Sequence, residues 1–172
     1  SKINLVKQIK HCLDDIFFYN HNIKTASLYY PMNNEIEPFD FVKHFEERHI
    51  VMSLPVVDMV KKSMRFMKWS PEDKLKIGPL GNLEPTYEKK TIFPQMMIVP
   101  LLMFDRKFFR LGYGGGYYDK SIIGLKNYFY EEKKFFITIG LAYSEQEIEE
   151  IPHENHDMNL DYIVTEKEFL SR

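Results

Sequence analysis

The chain has 172 residues, 44% hydrophobic and 28% charged, which supplies a packed core and excludes a disordered segment. Its formal charge of −2, from 23 basic and 25 acidic side chains, gives no reason to expect nucleic acid or an anionic membrane as partner. Cys12 is the one cysteine, so an internal disulfide and a cysteine-rich zinc site are excluded.

The first residues, "SKINLVKQIKHCLDDIFF", carry charge throughout and read as neither a signal peptide nor a spanning segment. Leu5, Ile9, Cys12, Leu13, Ile16 and Phe17 recur at helical spacing and predict an amphipathic helix over about residues 3–19. "KTASLYYP" predicts a short strand stopped by Pro31. A helix follows near Pro38, with Phe41, Val42 and Phe45 on its apolar face. "HIVMSLPVV" reads as a strand ended or bent at Pro55, and "SMRFMKW" as one with Met64, Phe66 and Lys68 on one side.

The stretch "SPEDKLKIGPLGNLEPTYEKK" is irregular and long enough to cover a site, to move as a flap, or to serve as a plain tether. "MMIVPLL" lacks alternation, as a strand covered on both faces does. Tyr117 to Phe129 predicts a helix, "KFFITIGLAY" a buried strand, and "DYIVTEKEFL" a last strand with a short terminal helix. Strand and helix patterns alternate without a repeat or a domain boundary, so the expected class is α/β, a sheet with helices on its faces. One domain over 1–172, monomeric, soluble and cytoplasmic, is the working expectation.

The chemistry concentrates in "FFRLGYGGGYYDK", residues 108–120, at a strand-to-helix crossing. Such crossings lie beyond strand carboxyl ends, where open α/β sheets bind ligands. Glycines at 112, 114, 115 and 116 allow close approach to backbone amides, and the following helix N-terminus adds positive potential. Arg110 supplies a multi-donor cation, and Asp119 a carboxylate able to hold Mg²⁺ directly or through water. Neither a P-loop nor GxGxxG is present, so a phosphate cradle and a structural tight turn both remain open.

Elsewhere, Glu35 and Glu37 suit either a solvated turn or recognition of ligand N–H groups. Met64, Phe66, Met67 and Trp69 suit a core or an aromatic pocket. "HENHD", with His153, His156 and Asp157, lacks the HExxH spacing and reads more simply as a polar turn than as a metal site.

Taken together, "VPLLMFDRKFFRLGYGGGYYDK", "YYPMNNEIEP", "GNLEP", "IGLAYSEQ" and "IPHENHDMNLDYIVTE" resemble the 5-formyltetrahydrofolate cyclo-ligase family, also called 5,10-methenyltetrahydrofolate synthetases, from about Thr25 to Glu166. The resemblance implies a three-layer α/β/α sandwich similar to the NagB/RpiA/CoA-transferase-like fold. It implies Mg-ATP as co-substrate, 5-formyltetrahydrofolate as substrate, phosphorylation of the formyl oxygen, and closure by N10.

It also implies site residues. Arg110, Leu111, Gly112, Tyr113, Gly114, Gly115, Gly116, Tyr117 and Tyr118 would hold ATP, with Arg110 and Tyr117 catalytic and Asp119 at the metal. Glu35 would fix the pterin, with Met64, Phe66, Glu84 and Tyr117 on the folate side and Asp157 organising the site's edge.

Where the family carries a basic residue and a glycine, this chain has Val56 and Leu101, the latter expected to add bulk near the substrate. One helix rather than two precedes "TASLYY", and Lys2, Lys7 and Lys10 are candidates for the family's N-terminal basic contact. The alternatives are a folate- or nucleotide-binding protein with impaired turnover, and a sugar-phosphate isomerase or acyl-transfer relative.

Overall fold

A computed structural model describes residues 1–32, 34–86, 89–154 and 158–172. In chain order it contains α1 (Lys2–Tyr19), β1 (Thr25–Ser27), a 3-10 turn (Phe39–Phe41) leading into α2 (Val42–Glu47), β2 (Val51–Asp58) and β3 (Ser63–Lys68). Then come β4 (Leu75–Ile77), β5 (Leu83–Pro85), β6 (Thr91–Ile92), β7 (Met96–Val99), β8 (Met103–Phe104) and β9 (Arg110–Leu111). The chain continues through α3 (Tyr117–Glu131), β10 (Ile137–Leu141), β11 (Tyr162–Val164) and β12 (Phe169–Ser171).

Among the described residues one eight-stranded sheet runs β12-β11-β10-β7-β1-β2-β3-β6. β11, β10, β7, β1 and β2 are parallel. β12 pairs antiparallel with β11, and β3 antiparallel with both β2 and β6. All four residues of β7 are buried, the both-faces burial that its unbroken apolar run predicts.

Side-chain alternation divides the core between the two sheet faces. Met96 and Ile98 of β7 join Leu5, Ile9, Cys12, Leu13 and Ile16 of α1 and Phe45 of α2 on one side. Met97 and Val99 join Ile122, Leu125 and Phe129 of α3 on the other. The stripe predicted for the first helix is therefore the one α1 buries, each side chain contributing roughly 1.5–3 kcal/mol of gross transfer energy. Ser1 caps this helix, its hydroxyl accepting the Asn4 N–H at 3.4 Å. No helix among the described residues is long and apolar enough to cross a membrane.

Three expectations change. β1 ends at Ser27 rather than at Pro31, although Leu28 still donates its N–H to the Ser53 carbonyl at 2.9 Å. β2 runs straight through Pro55, which pairs with Phe66. Because β1 reaches only as far as Ser53 on that strand, the missing proline N–H faces a side where the parallel ladder has already ended. Two residues later the Val57 N–H, on that same side, goes to a Glu84 carboxylate oxygen at 2.9 Å instead.

At the C-terminus a strand, β12, replaces the expected helix. Thr165 turns the chain: its hydroxyl accepts the N–H groups of Lys167 and Glu168, and its own N–H donates to the Glu168 carbonyl. This geometry favours a hairpin return over a helix start. The irregular stretch after Trp69 contains the antiparallel pair β4–β5.

Candidate functional site

Chain order places a topological switch beside β1. From β1 the chain moves to β2 on one side, whereas β7 on the other side leads on to β10 and β11. The crevice beyond the carboxyl ends of β1 and β7 is where such a sheet opens. The segment leaving β1 carries Glu35, and the segment leaving β7 carries the glycine run.

The two segments meet. The Glu35 carboxylate accepts the Met32 N–H at 2.7 Å, and the Tyr113 phenol approaches it closely enough for the two groups to influence one another. Burial pushes the Glu35 carboxyl above its ordinary value, with the Met32 N–H and the Tyr113 phenol acting in the opposite direction. Burial also raises the Tyr113 phenol, and the charge on Glu35 adds to the effect. Tyr29, buried and donating to the Ile36 carbonyl, is raised first by burial and then by Glu35. Tyr118 is raised by burial, with the Arg110 charge opposing. A half-buried carboxylate is thus ringed by phenols that stay protonated at neutral pH, an arrangement suited to a ligand presenting N–H donors.

Arg110 lies at the other end of this cluster, its side chain only 6% exposed. One terminal nitrogen donates to the Pro100 carbonyl at 3.3 Å and the other lies 3.7 Å from Asp119 Oδ1. Its guanidinium carbon sits 5.6 Å from the Tyr118 ring centre. A methyl group on Gly112 would come within 2.6 Å of Arg110 Nη1, and one on Gly115 within 2.7 Å of the Tyr117 ring. Gly116 caps α3 with φ +71, a left-handed conformation that a side chain would strain. Leu111, Gly114 and Tyr113 complete an exposed loop. Its amides and the start of the 15-residue α3 form a backbone setting for an anion beside a fixed cation.

Residues 19–166 match the 5-formyltetrahydrofolate cyclo-ligase family. The chain belongs to that family. A 5-formyltetrahydrofolate cyclo-ligase of Haemophilus influenzae is 30% identical over 142 residues, covering 80% of this chain and 73% of that one. The Escherichia coli K12 protein of the same name is 25% identical over 146 residues, covering 82% and 77%. The solution structure of the Aquifex aeolicus 5,10-methenyltetrahydrofolate synthetase superposes with TM-score 0.66 at 26% identity, over 97% of this chain and 80% of that one. A Mycoplasma pneumoniae 5,10-methenyltetrahydrofolate synthetase shares the fold with TM-score 0.68, at 24% identity over 96% and 89%. The α/β sheet with flanking helices is thus the family architecture, and membership supports cyclo-ligase activity in general.

Within this cyclo-ligase frame the remaining candidates take distinct places. Met64 and Phe66 line a groove of about 370 Å³ between β3 and α3. Tyr117 donates its hydroxyl to Met59 Sδ at 3.6 Å, joining α3 to the β2–β3 turn. Glu84 is buried, its carboxylate accepting the Val57 N–H and filling the space beside Gly78. Leu101 is also buried, packed against Gly140 with Leu160, so its bulk fills the core of the α3 face. Val56 stands directly across from Arg65.

Lys2 at the start of α1 lies 3.9 Å from Glu37, whereas Lys10 is paired with Asp14 at 2.9 Å. His153 stacks on Phe109 with ring centres 3.7 Å apart. His156 and Asp157 lie outside the described residues. Among the described residues no three His, Cys, Asp or Glu side chains gather to hold a metal. Asp119 alone suits Mg²⁺ that takes its other ligands from phosphates and water.

Two supporting residues escape a sequence reading. Asp105 is buried, with one carboxylate oxygen accepting the N–H groups of Lys107 and Phe109 and the other that of Ile151. It thereby shapes the β8–β9 turn that delivers Arg110. An Asp closing an apolar run is its only sequence signal. Gln146 donates to the carbonyls of Leu101 and Leu102 at 3.2 and 3.0 Å, giving the "IGLAYSEQ" motif a bracing role under the same loop.

Proposed function

We propose that the protein is an ATP- and Mg²⁺-dependent 5-formyltetrahydrofolate cyclo-ligase (EC 6.3.3.2), a single cyclo-ligase domain over residues 1–172 working in the cytoplasm. The finer fold name that goes with this reading is the NagB/RpiA/CoA-transferase-like sandwich. The observation that carries the proposal is the meeting of Glu35 with the Arg110–Asp119 loop across the β1–β7 crevice. An N–H-recognising carboxylate and a phosphate-suited backbone then face one site.

In this reading the γ-phosphoryl group of ATP passes to the formyl oxygen of the substrate. N10 attacks the activated carbon and gives up its proton, the carbon–oxygen bond breaks, and phosphate leaves with its electrons. The 5,10-methenyl ring and ADP remain. Phosphate replaces an oxygen that is a poor leaving group, and N10 is already tethered near the carbon it attacks.

The residues divide the work accordingly. Arg110 and the backbone from Leu111 to Tyr118 hold the phosphates and offset the charge that develops on transfer. Asp119 would hold Mg²⁺, which when bound would neutralise phosphate charge. Glu35, with Tyr113, orients the pterin through its N–H groups. Met64, Phe66 and Tyr117 screen the folate from water, and Glu84 holds the strand beneath it.

The test is to mix protein with 5-formyltetrahydrofolate, with and without Mg-ATP, and follow the methenyl chromophore. ATP-dependent appearance of methenyl product is expected; none from soundly folded protein would refute the reading.

A further inference from the structure

The nine methionines of the chain differ sharply in their access to solvent. Met52, Met67, Met96 and Met97 are buried, whereas Met59 is 49% and Met103 40% exposed. Met59 stands on the turn between β2 and β3, and that turn is fixed from two directions. The Asp58 carboxylate accepts the N–H groups of Val60 and Lys61, each at 3.0 Å. From α3, Lys120 donates to the carbonyls of Lys61 and Lys62 at 3.3 and 3.4 Å. The thioether is thereby presented at a set place against the first turn of α3.

What it meets there is Tyr117, whose hydroxyl donates to Met59 Sδ at 3.6 Å. The ring of the same tyrosine lies 2.7 Å from where a methyl group on Gly115 would stand. One rigid ring therefore joins an exposed sulfur to the glycine loop. A thioether is a weak acceptor, whereas its sulfoxide is polar and carries a strongly accepting oxygen.

We propose that Met59 is an oxidation site whose sulfoxide lowers turnover by displacing Tyr117. The oxidant is a peroxide. A sulfur lone pair attacks one peroxide oxygen, the S–O bond forms as the O–O bond breaks, and the other oxygen leaves as water. Sulfur gives up two electrons and the peroxide takes them. The oxidised sulfur no longer accepts, so the phenol hydroxyl follows the new oxygen and the ring carries that movement to Gly115. The effect on turnover rests on the cyclo-ligase reading above; the oxidation and its coupling to Tyr117 do not. Cys12 offers no competing target, because it is buried and its thiol is pushed up by burial and by the Asp15 charge.

The experiment treats the protein with hydrogen peroxide and follows sulfoxide at each methionine by peptide mass spectrometry. Met59 and Met103 should oxidise ahead of the four buried methionines. Tyr117→Phe removes the donor that draws on the sulfur lone pair. It should speed oxidation at Met59 by about threefold, the worth of one weak hydrogen bond, and leave Met103 unchanged. Turnover of the oxidised wild type should fall about tenfold, since a small misplacement beside the site is costly, and methionine sulfoxide reductase should restore it. Met59→Leu, which conserves volume, should keep its own untreated rate after peroxide, whereas Met103→Leu should stay sensitive.

A loss that persists in Met59→Leu, or full turnover with Met59 completely oxidised, would overturn the proposal. The oxidation rates need no substrate. If the untreated protein shows no turnover but Tyr117→Phe still speeds oxidation at Met59 alone, the coupling holds and the cyclo-ligase reading fails. A Met59 rate unmoved by Tyr117→Phe removes the coupling whatever the turnover.

Discussion

The Tyr113 phenol approaches the Glu35 carboxylate, and this approach brings the segment leaving β1 to the glycine loop leaving β7. Burial raises the Glu35 carboxyl above the ordinary value of 4.5, so the folded protein keeps this proton to higher pH than the unfolded chain. Stability from this group is present below that ordinary value and falls as pH rises through the raised one. Glu35→Gln should therefore melt higher than wild type at pH 7, with the difference disappearing in the acid range, as thermal melts across pH will show. The same variant should lose about 10- to 100-fold in kcat/KM for the folate, because a charged hydrogen-bond acceptor is gone.

Arg110 presents a rigid fork against Asp119 and Pro100, which a lysine cannot reproduce. Arg110→Lys should cost about 10²-fold or more in turnover and raise KM for ATP, while circular dichroism stays native. Initial rates at varied ATP decide it; unchanged turnover would remove Arg110 from the phosphate site.

Gly112→Ala puts a methyl 2.6 Å from Arg110 Nη1. The atom that must yield is the tip of a side chain, so the loop survives and the guanidinium moves. Turnover should fall about tenfold with little change in melting temperature, since a small misplacement of a positioning group is costly to the reaction.

Asp105→Ala strands the three backbone N–H groups its carboxylate satisfies. About 3 kcal/mol of stability should be lost, lowering Tm by about 6–12 °C for a chain of this size. Asn at 105 should recover part of this, because its amide oxygen can still accept. Denaturant melts of the two variants provide the comparison.

Leu101→Ala tests whether this side chain belongs to the core or to the substrate pocket. Packed against Gly140, it should cost about 2–5 kcal/mol on truncation and leave KM for the folate unchanged. A fall in that KM without loss of stability would instead place Leu101 at the substrate.

Local patterning determined α1 and α3, because a buried helical stripe is a property of neighbouring residues, whereas the terminal helix expected after "DYIVT" is the strand β12. Leu5 through Phe17 predicted α1, and the apolar run at Met96 predicted β7. The glycines at 112, 114, 115 and 116, just before the apolar pattern of Tyr118, Ile122 and Leu125, likewise marked the loop that leads into α3. What the sequence could not decide depends on partners distant in the chain. Pro55 looks like a strand end until the ladder on its N–H side is seen to stop at Ser53. Glu35 reads from its own surroundings more simply as a solvated turn, and only folding brings Tyr113 to it and half-buries its carboxylate. Leu101, an apparent intrusion on the pocket, is a core residue because Gly140 on the neighbouring strand leaves room for it. Period and turn chemistry can be read along the chain, whereas burial and pairing between β1, β7 and β10 exist only once the sheet has formed.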